Sequence, residues 1–206
     1  MKTADSVVYV IDDDVRVTRA LSNLLASEGY EVISFSTAAQ YIAHTQSDRV
    51  SCLILDLELP DVNGLELQQK LADSDGPPII FITGHGDIPT GVKAIKNGAI
   101  EFLTKPVDSI QLLEALRVGI ATDLRRRQEL LTSASLRSRL ASLTPREVEV
   151  FRLVVSGLLN KQAAAELGIT EVTIQVHRGR VMRKMQADSL PDLVRMSSRL
   201  GIFADA

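Results

Sequence analysis

Along the first half of the chain, short unbroken apolar runs alternate with stretches whose apolar residues recur at helical spacing. Residues 7–11, Glu31–Phe35, 52–55, Ile79–Thr83 and 100–103 read as strands. Val15–Ser27 reads as a helix with Val17, Ala20, Leu21, Leu24 and Leu25 on one face, stopped by Gly29. Residues 37–44, Gly64–Ala72 and Ile88–Lys96 continue the alternation, the last closed by Asn97 and Gly98. Asp108 or Ser109 caps a further helix that starts near Ile110. Unbroken apolar strands need cover on both faces, which predicts an α/β fold, a doubly wound five-stranded parallel sheet. Such sheets place their chemistry at the carboxyl ends of the strands.

From Thr144 onward the pattern is helical only. Leu113, Leu116, Ile120, Leu124 and Leu131 carry the preceding helix toward a basic run, Arg125, Arg126 and Arg127. Residues 133–142 are serine-rich with no strong apolar face and read as a partly helical linker. Thr144, Pro145 and Glu147 form a helix-start signature for 147–156, closed by Gly157. Asn160 caps 161–167, Gly168 ends it, and Thr170 caps Glu171–Met185. Two short helices joined by Gly168, Ile169 and Thr170 make a helix-turn-helix, and 190–200 forms a final helix ending at Gly201. The expected division is 1–125, a linker over 126–141, and an all-α four-helix domain over 142–206.

Composition narrows this picture. Hydrophobic residues at 45% and charged residues at 24% exclude a disordered, collagen-like or rod-like chain. A single cysteine, Cys52, excludes an internal disulfide framework and Cys-x-x-Cys zinc clusters, and it is expected to be buried packing. No apolar run approaches the ~18 residues that span a bilayer, and acid interrupts the start of the chain before a signal core forms, so no membrane and a cytoplasmic location are expected. The net charge of −3 argues weakly against a nucleic-acid partner when taken whole. Counted by segment it does the opposite: 1–116 holds 8 Lys+Arg against 17 Asp+Glu, 117–141 holds 6 against 2, and 142–206 holds 9 against 7.

The predicted strand ends carry Asp12 and Asp13, then Asp56, then Thr83, then Lys105. In a parallel sheet they converge. Packed carboxylates need a cation, and an oxygen-only site suits Mg²⁺. Metal, ammonium and hydroxyl together can neutralise a transferring phosphoryl group, with one carboxylate as nucleophile. Asp14 reads as a helix cap without a metal role, and His44 as a surface residue. His85 and Glu58, each two positions past a key residue, are a candidate pair for controlling hydrolytic water.

In the second half, a wheel drawn on Glu171–Met185 puts Ile174, Val181 and Met185 on one stripe, flanked by His177 and Arg178. The opposite face holds Val172, Val176, Gly179 and Arg183, with Thr173, Gln175, Arg180 and Lys184 alongside. Gln, Arg and a small apolar residue are side chains that read base edges in a major groove, while Arg and Lys also hold phosphates.

The stretches VIDDD, LILDLELPDVNG, FITGHGD and FLTKP resemble the receiver domain of two-component response regulators over about 5–125. That resemblance implies a flavodoxin- or CheY-like fold with Asp56 as phospho-acceptor. It implies Mg²⁺ on Asp13, Asp56 and the Glu58 backbone carbonyl, with Asp12 holding the metal through water. It further implies Lys105 and Thr83 on the phosphoryl group, Phe102 as a switch residue, and a cis Lys105–Pro106 bond. The stretches LTPREVEVFRLVVSGLLNKQAAAELGIT, EVTIQVHRGRVMRKM and SLPDLVRM resemble the LuxR-type DNA-binding domain of FixJ/NarL-type regulators. Asn160 and Lys161 stand where that family touches backbone phosphates. Gln175 departs from the lysine common there, and Gly179 sits on the outward face, where close approach to the DNA backbone would account for it. The resemblance implies a regulator phosphorylated by a sensor histidine kinase, forming a homodimer on phosphorylation and binding promoter DNA, with RNA polymerase as a further partner. Asp56 would phosphorylate and dephosphorylate itself with Mg²⁺, and the chain would otherwise not be an enzyme. Two other classes stay open on the residues alone: a receiver acting by protein contact without DNA, and a Mg²⁺-dependent phosphohydrolase.

Overall fold

The computed structural model describes residues 6–45, 47–72 and 76–202. They fall into two compact units, Met1–Arg127 and Gln128–Ala206. In the first, β1 (Ser6–Ile11), α1 (Val15–Ser27), β2 (Glu31–Phe35), α2 (Ala38–Ala43), β3 (Val50–Asp56), α3 (Gly64–Ala72), β4 (Ile79–Thr83), α4 (Ile88–Lys96) and β5 (Glu101–Thr104) alternate as the apolar pattern predicts. The sheet is parallel throughout, in the order β2-β1-β3-β4-β5.

Period-two geometry explains how the unbroken runs are used. Tyr9, Ile11, Leu53, Leu55 and Phe81 build the core on one face. Val8, Val10, Cys52, Ile54, Ile80 and Ile82 build it on the other, against Leu21, Leu25, Leu112 and Leu116 from α1 and α5 (Ser109–Ala141). Cys52 is fully buried, and Gly119 of α5 lies so close that a Cβ there would stand 2.6 Å from the Cys52 sulfur. His44 is not a plain surface residue: its ring is half-buried, 5.3 Å from Phe35 and 6.0 Å from Tyr9.

Two expectations about the chain after the receiver-like half need correcting. First, 133–141 is helical throughout and not in part, because α5 continues unbroken to Ala141. No Gly or Pro interrupts the chain between Gly119 and Pro145. Leu136 is buried, and Leu140 and Leu143 join the core of the second unit, so an apolar stripe does exist there at i, i+4, i+7. Second, Asn160 is not a helix cap. The second unit contains α6 (Pro145–Val155), α7 (Asn160–Leu167), α8 (Glu171–Met185) and α9 (Leu190–Arg199), and the cap of α7 is Leu159. Gln162 accepts from the Leu159 N–H at 2.8 Å, which does the capping work that a polar residue would do and frees Asn160 for another partner.

Val150, Phe151, Val154, Ala163, Ala164, Ile174, Val181, Met185 and Leu193 form the core of the second unit. Thr144 and Glu147 make the reciprocal capping interaction at the start of α6. Gly168 ends α7 at φ 64°, a left-handed conformation glycine reaches without strain, and this lets the chain turn directly into α8.

Candidate functional site

β1, β3, β4 and β5 are neighbours and parallel, so their carboxyl ends lie side by side. Carboxylate oxygens of Asp12, Asp13 and Asp56 come within 4.8 Å of one another; Asp12 and Asp56 are buried and Asp13 is exposed. Asp12 accepts from the Asp14 N–H at 2.9 Å and Asp56 from the Glu58 N–H at 3.3 Å, which fixes both carboxylates against the turns that follow them. Lys105 Nζ stands 2.7 Å from Asp56 Oδ2 and 2.6 Å from Asp12 Oδ2, the second an ion contact outside hydrogen-bond angles. Burial pushes the Asp12 pKa up, against the opposing pull of Lys105. Burial also works against the Lys105 charge, but its bonds to Asp12 and Asp56 outweigh it and hold the ammonium above its usual value. Three carboxylates against one ammonium leave an oxygen-only donor set with excess negative charge, which fits a hard divalent cation.

Thr83 ends β4 fully buried, and its hydroxyl accepts from the His85 N–H at 3.1 Å. Its carbonyl accepts from the Lys105 N–H at 2.7 Å, which joins the β4 and β5 ends of the pocket. Lys105–Pro106 is cis. Phe102 is half-buried against Phe81, ring centroids 6.3 Å apart, and lies over Gly91 of α4, where a Cβ would meet its ring at 3.2 Å. The exposed Glu58 carboxylate and His85 Nδ1 face each other at 3.6 Å across a cavity of about 500 Å³ also lined by Asn63, Asp87 and Thr90. Asp14 caps α1, accepting from the Arg16 N–H at 2.8 Å; the Arg16 guanidinium holds its pKa down to about 2. Asp12, Asp13, Asp56 and Lys105 thus come together in one cluster, with Thr83 at the end of the neighbouring strand and Glu58 two residues past Asp56.

The predicted nucleic-acid face divides in two. Gln175, Val176, Gly179, Arg180 and Arg183 are exposed on one side of α8, Thr173 is half-buried there, and Lys161 is exposed on α7. A Cβ on Gly179 would meet nothing within 4 Å, so packing within the unit does not require the glycine. Arg178 and Lys184 are occupied instead. Arg178 donates to the Asn160 side-chain oxygen at 2.9 Å, and Lys184 pairs with the buried Glu147 at 2.6 Å. Arg178 stands beside the buried stripe of the helical wheel and Lys184 at the margin of the outward face, each close enough for a long side chain to turn inward.

One cluster had no sequence signal beyond a basic run. Asp123 is fully buried; it accepts from the Ser51 N–H at 2.8 Å and from Arg126 and Arg127 at 2.6–3.1 Å. Arg127 also donates to the Asp48 carbonyl at 2.6 Å. Asp123 and Arg127 therefore tie α5 to the start of β3 and the residues just before it, while Arg126 pairs with Asp123 on its own helix.

A parallel sheet ending in this acidic pocket, followed by a helix-turn-helix unit, defines a response regulator with a receiver and a DNA-binding domain. Residues 8–117 match the response regulator receiver domain, and 141–197 match the bacterial regulatory proteins of the luxR family. The chain belongs to the two-component response regulators with a LuxR-type DNA-binding domain, and these are transcription regulators. Nodulation protein W of Bradyrhizobium diazoefficiens is 48% identical over 97% of this chain and 88% of its own. The transcriptional regulatory protein FixJ of the same organism is 36% identical over 98% of this chain and 100% of its own. Among solved structures, the response regulator StyR superposes with a TM-score of 0.84 at 46% identity, covering 95% of this chain and 100% of that one. A receiver implies a histidine kinase partner, and the luxR-family domain implies DNA. The match over 141–197 does not favour regulation by protein contact alone, and the family is not one of typical enzymes. No described helix is long and apolar enough to cross a membrane.

Proposed function

We propose that Asp56 accepts a phosphoryl group from a sensor histidine kinase and that this event switches the chain to a dimer that binds promoter DNA. The observation that carries the reading is the placement of Lys105 Nζ within 2.7 Å of Asp56 and Asp12 at the mouth of a pocket of three carboxylates. An Asp56 oxygen attacks phosphorus, an O–P bond forms, and the bond to the donor's histidine nitrogen breaks. The Lys105 ammonium then moves its hydrogen bond from the carboxylate to a phosphoryl oxygen, and Asp12 keeps the charge balance of the pocket. Mg²⁺, held by Asp13, Asp56 and the Glu58 carbonyl and through water by Asp12, would neutralise charge on the transferring group. The Thr83 hydroxyl, which accepts from the His85 N–H, donates its own proton to a phosphoryl oxygen. Phe102, which fills the space over Gly91, turns as Thr83 moves. We assign the receiver to 1–125, the connector to 126–141 and the DNA-binding domain to 142–206, in a cytoplasmic protein that also meets RNA polymerase at its promoters.

The test is Asp56→Asn in full-length protein treated with Mg²⁺ and a small-molecule phosphodonor. Wild type is expected to gain one acid-stable, base-labile phosphoryl group, to dimerise and to bind DNA more tightly; the variant does none of these. Full activation of Asp56→Asn would remove the acceptor assignment.

A further inference from the structure

The two cations on α8 that are engaged inside the second unit bear on how this regulator reads DNA, and the inference rests on the DNA-binding reading above. We propose that Lys184 and Arg178 are positioning residues that set the pose of α8, and that phosphate contact falls to Lys161, Arg180 and Arg183.

Lys184 Nζ donates to Glu147 at 2.6 Å and to the Ser142 carbonyl at 2.9 Å, which uses two of its three N–H groups. The Glu147 oxygen it meets also accepts the Thr144 N–H at 2.8 Å, and Glu147 is only 3% exposed. One carboxylate thus starts α6 and anchors the last turn of α8. For Lys184 to reach a phosphate it would leave a buried carboxylate without its counter-charge, a cost that a rim contact with DNA does not offset. Further along α8, Arg178 ties the helix to the first residue of α7 through Asn160 Oδ1 at 2.9 Å. That bond takes the acceptor of the Asn160 amide and leaves its two N–H groups for a phosphate oxygen. The two clamps join the base-reading helix to α6 at one end and to the phosphate-facing start of α7 at its middle. Lys161, Arg180 and Arg183 are exposed and have no hydrogen-bond or ion-pair partner among the described residues. Base readout needs side chains held at fixed offsets from base edges, so the clamps govern specificity while the free cations govern salt dependence.

Salt dependence separates the two roles. Full-length protein is measured by fluorescence anisotropy on a duplex enriched by selection against wild type and on a mixed-sequence duplex, across a range of salt. Each phosphate contact contributes about 0.9 to the slope of log affinity against log salt. Lys161→Ala, Arg180→Ala and Arg183→Ala are each expected to lower that slope by about 0.9 per protomer. Lys184→Met and Arg178→Met are expected to keep the wild-type slope and to lose several-fold in the ratio of selected to mixed-sequence affinity. Lys184→Met combined with Glu147→Leu removes both charges of the buried pair and recovers part of that ratio, and it stands in for the single variant should that one not fold. A slope loss in Lys184→Met or in the double variant equal to that of Lys161→Ala overturns the assignment. A wild-type chain that enriches no duplex overturns the DNA-binding reading itself, a separate and recognisable failure.

Discussion

Gly64→Ala should slow the proposed phosphorylation of Asp56 without altering any side chain of the pocket. Gly64 opens α3 and donates its N–H to the Leu57 carbonyl at 2.9 Å. A Cβ there would stand 2.8 Å from the Asp56 carbonyl oxygen, 3.0 Å from the Phe81 ring and 3.1 Å from the Leu57 Cα. Two of those three neighbours are backbone of the segment that carries Asp56, so neither can swing aside. Reaching an ordinary contact of about 3.4 Å requires the Asp56 end of β3 to move by about 0.6 Å. Overpacking of this kind costs about 1–3 kcal/mol. Against it, alanine gains at most about 1 kcal/mol from lower unfolded-state entropy and better helix propensity. The net loss should be about 1–2 kcal/mol, read by urea unfolding and by amide exchange in β1 and β3. A displacement near half an ångström at the nucleophile should slow phosphorylation about tenfold, since 1 Å can cost about a hundredfold. Gly84→Ala is the control, because its Cβ would meet nothing within 4 Å. A Gly64→Ala protein as stable as wild type and phosphorylated at the wild-type rate would refute the reasoning.

Other expectations follow from contacts in both units. Asp123→Ala strips the Ser51 N–H of its acceptor and removes the carboxylate that Arg126 and Arg127 share, while Arg127 keeps the Asp48 carbonyl; both arginines keep a quarter of their side-chain surface in water, so the loss should be about 2–3 kcal/mol, below the cost of a fully buried pair. Faster amide exchange at the start of β3 is the signature, and unchanged exchange would remove the network's role. Glu147 sits at about 2 rather than 4.5, held down first by Lys184 and then by the Thr144 N–H. Its contribution is complete above pH 4.5 and disappears as pH falls toward 2. Glu147→Gln should therefore flatten the acid limb of amide exchange in α6 and α8; an acid limb identical to wild type would contradict this. Alanine at Glu58 or His85 should change the half-life of phosphorylated Asp56 several-fold, and an unchanged half-life in both would show that the 3.6 Å pair does not control water there.

The acidic pocket was legible in the sequence because each of its residues stands at the last position of a strand or just past it, and strand ends are what apolar runs mark best. Val15–Ser27, Glu31–Phe35, Gly64–Ala72, Ile79–Thr83 and Ile88–Lys96 have the bounds that their patterns predict. What stayed hidden depends on partners far apart in sequence. Nothing in a wheel says that Lys184 has Glu147 beside it, 37 residues earlier, or that Asp123 reaches Ser51 72 residues away. The cap of α7 was misread because Asn160 is a good cap in isolation, while Gln162 satisfies the Leu159 N–H from the third position instead. The serine-rich stretch was misread because serines weakened an apolar stripe that Leu136, Leu140 and Leu143 still supply.

The sealing of Cys52 has a practical side. Its thiol has no exposure, is closed over by Gly119, and is pushed by burial up to about 12. At neutral pH it offers neither a thiolate nor a path to one. To maleimides and other thiol reagents the native chain is therefore silent, and nothing has to be removed before labelling it. One cysteine placed at exposed Ser27 in α1 and another at exposed Ser198 in α9 would be the only sites to react. The distance between the two units, and its change on phosphorylation, can then be followed by spectroscopic ruler in a chain whose packing is otherwise its own.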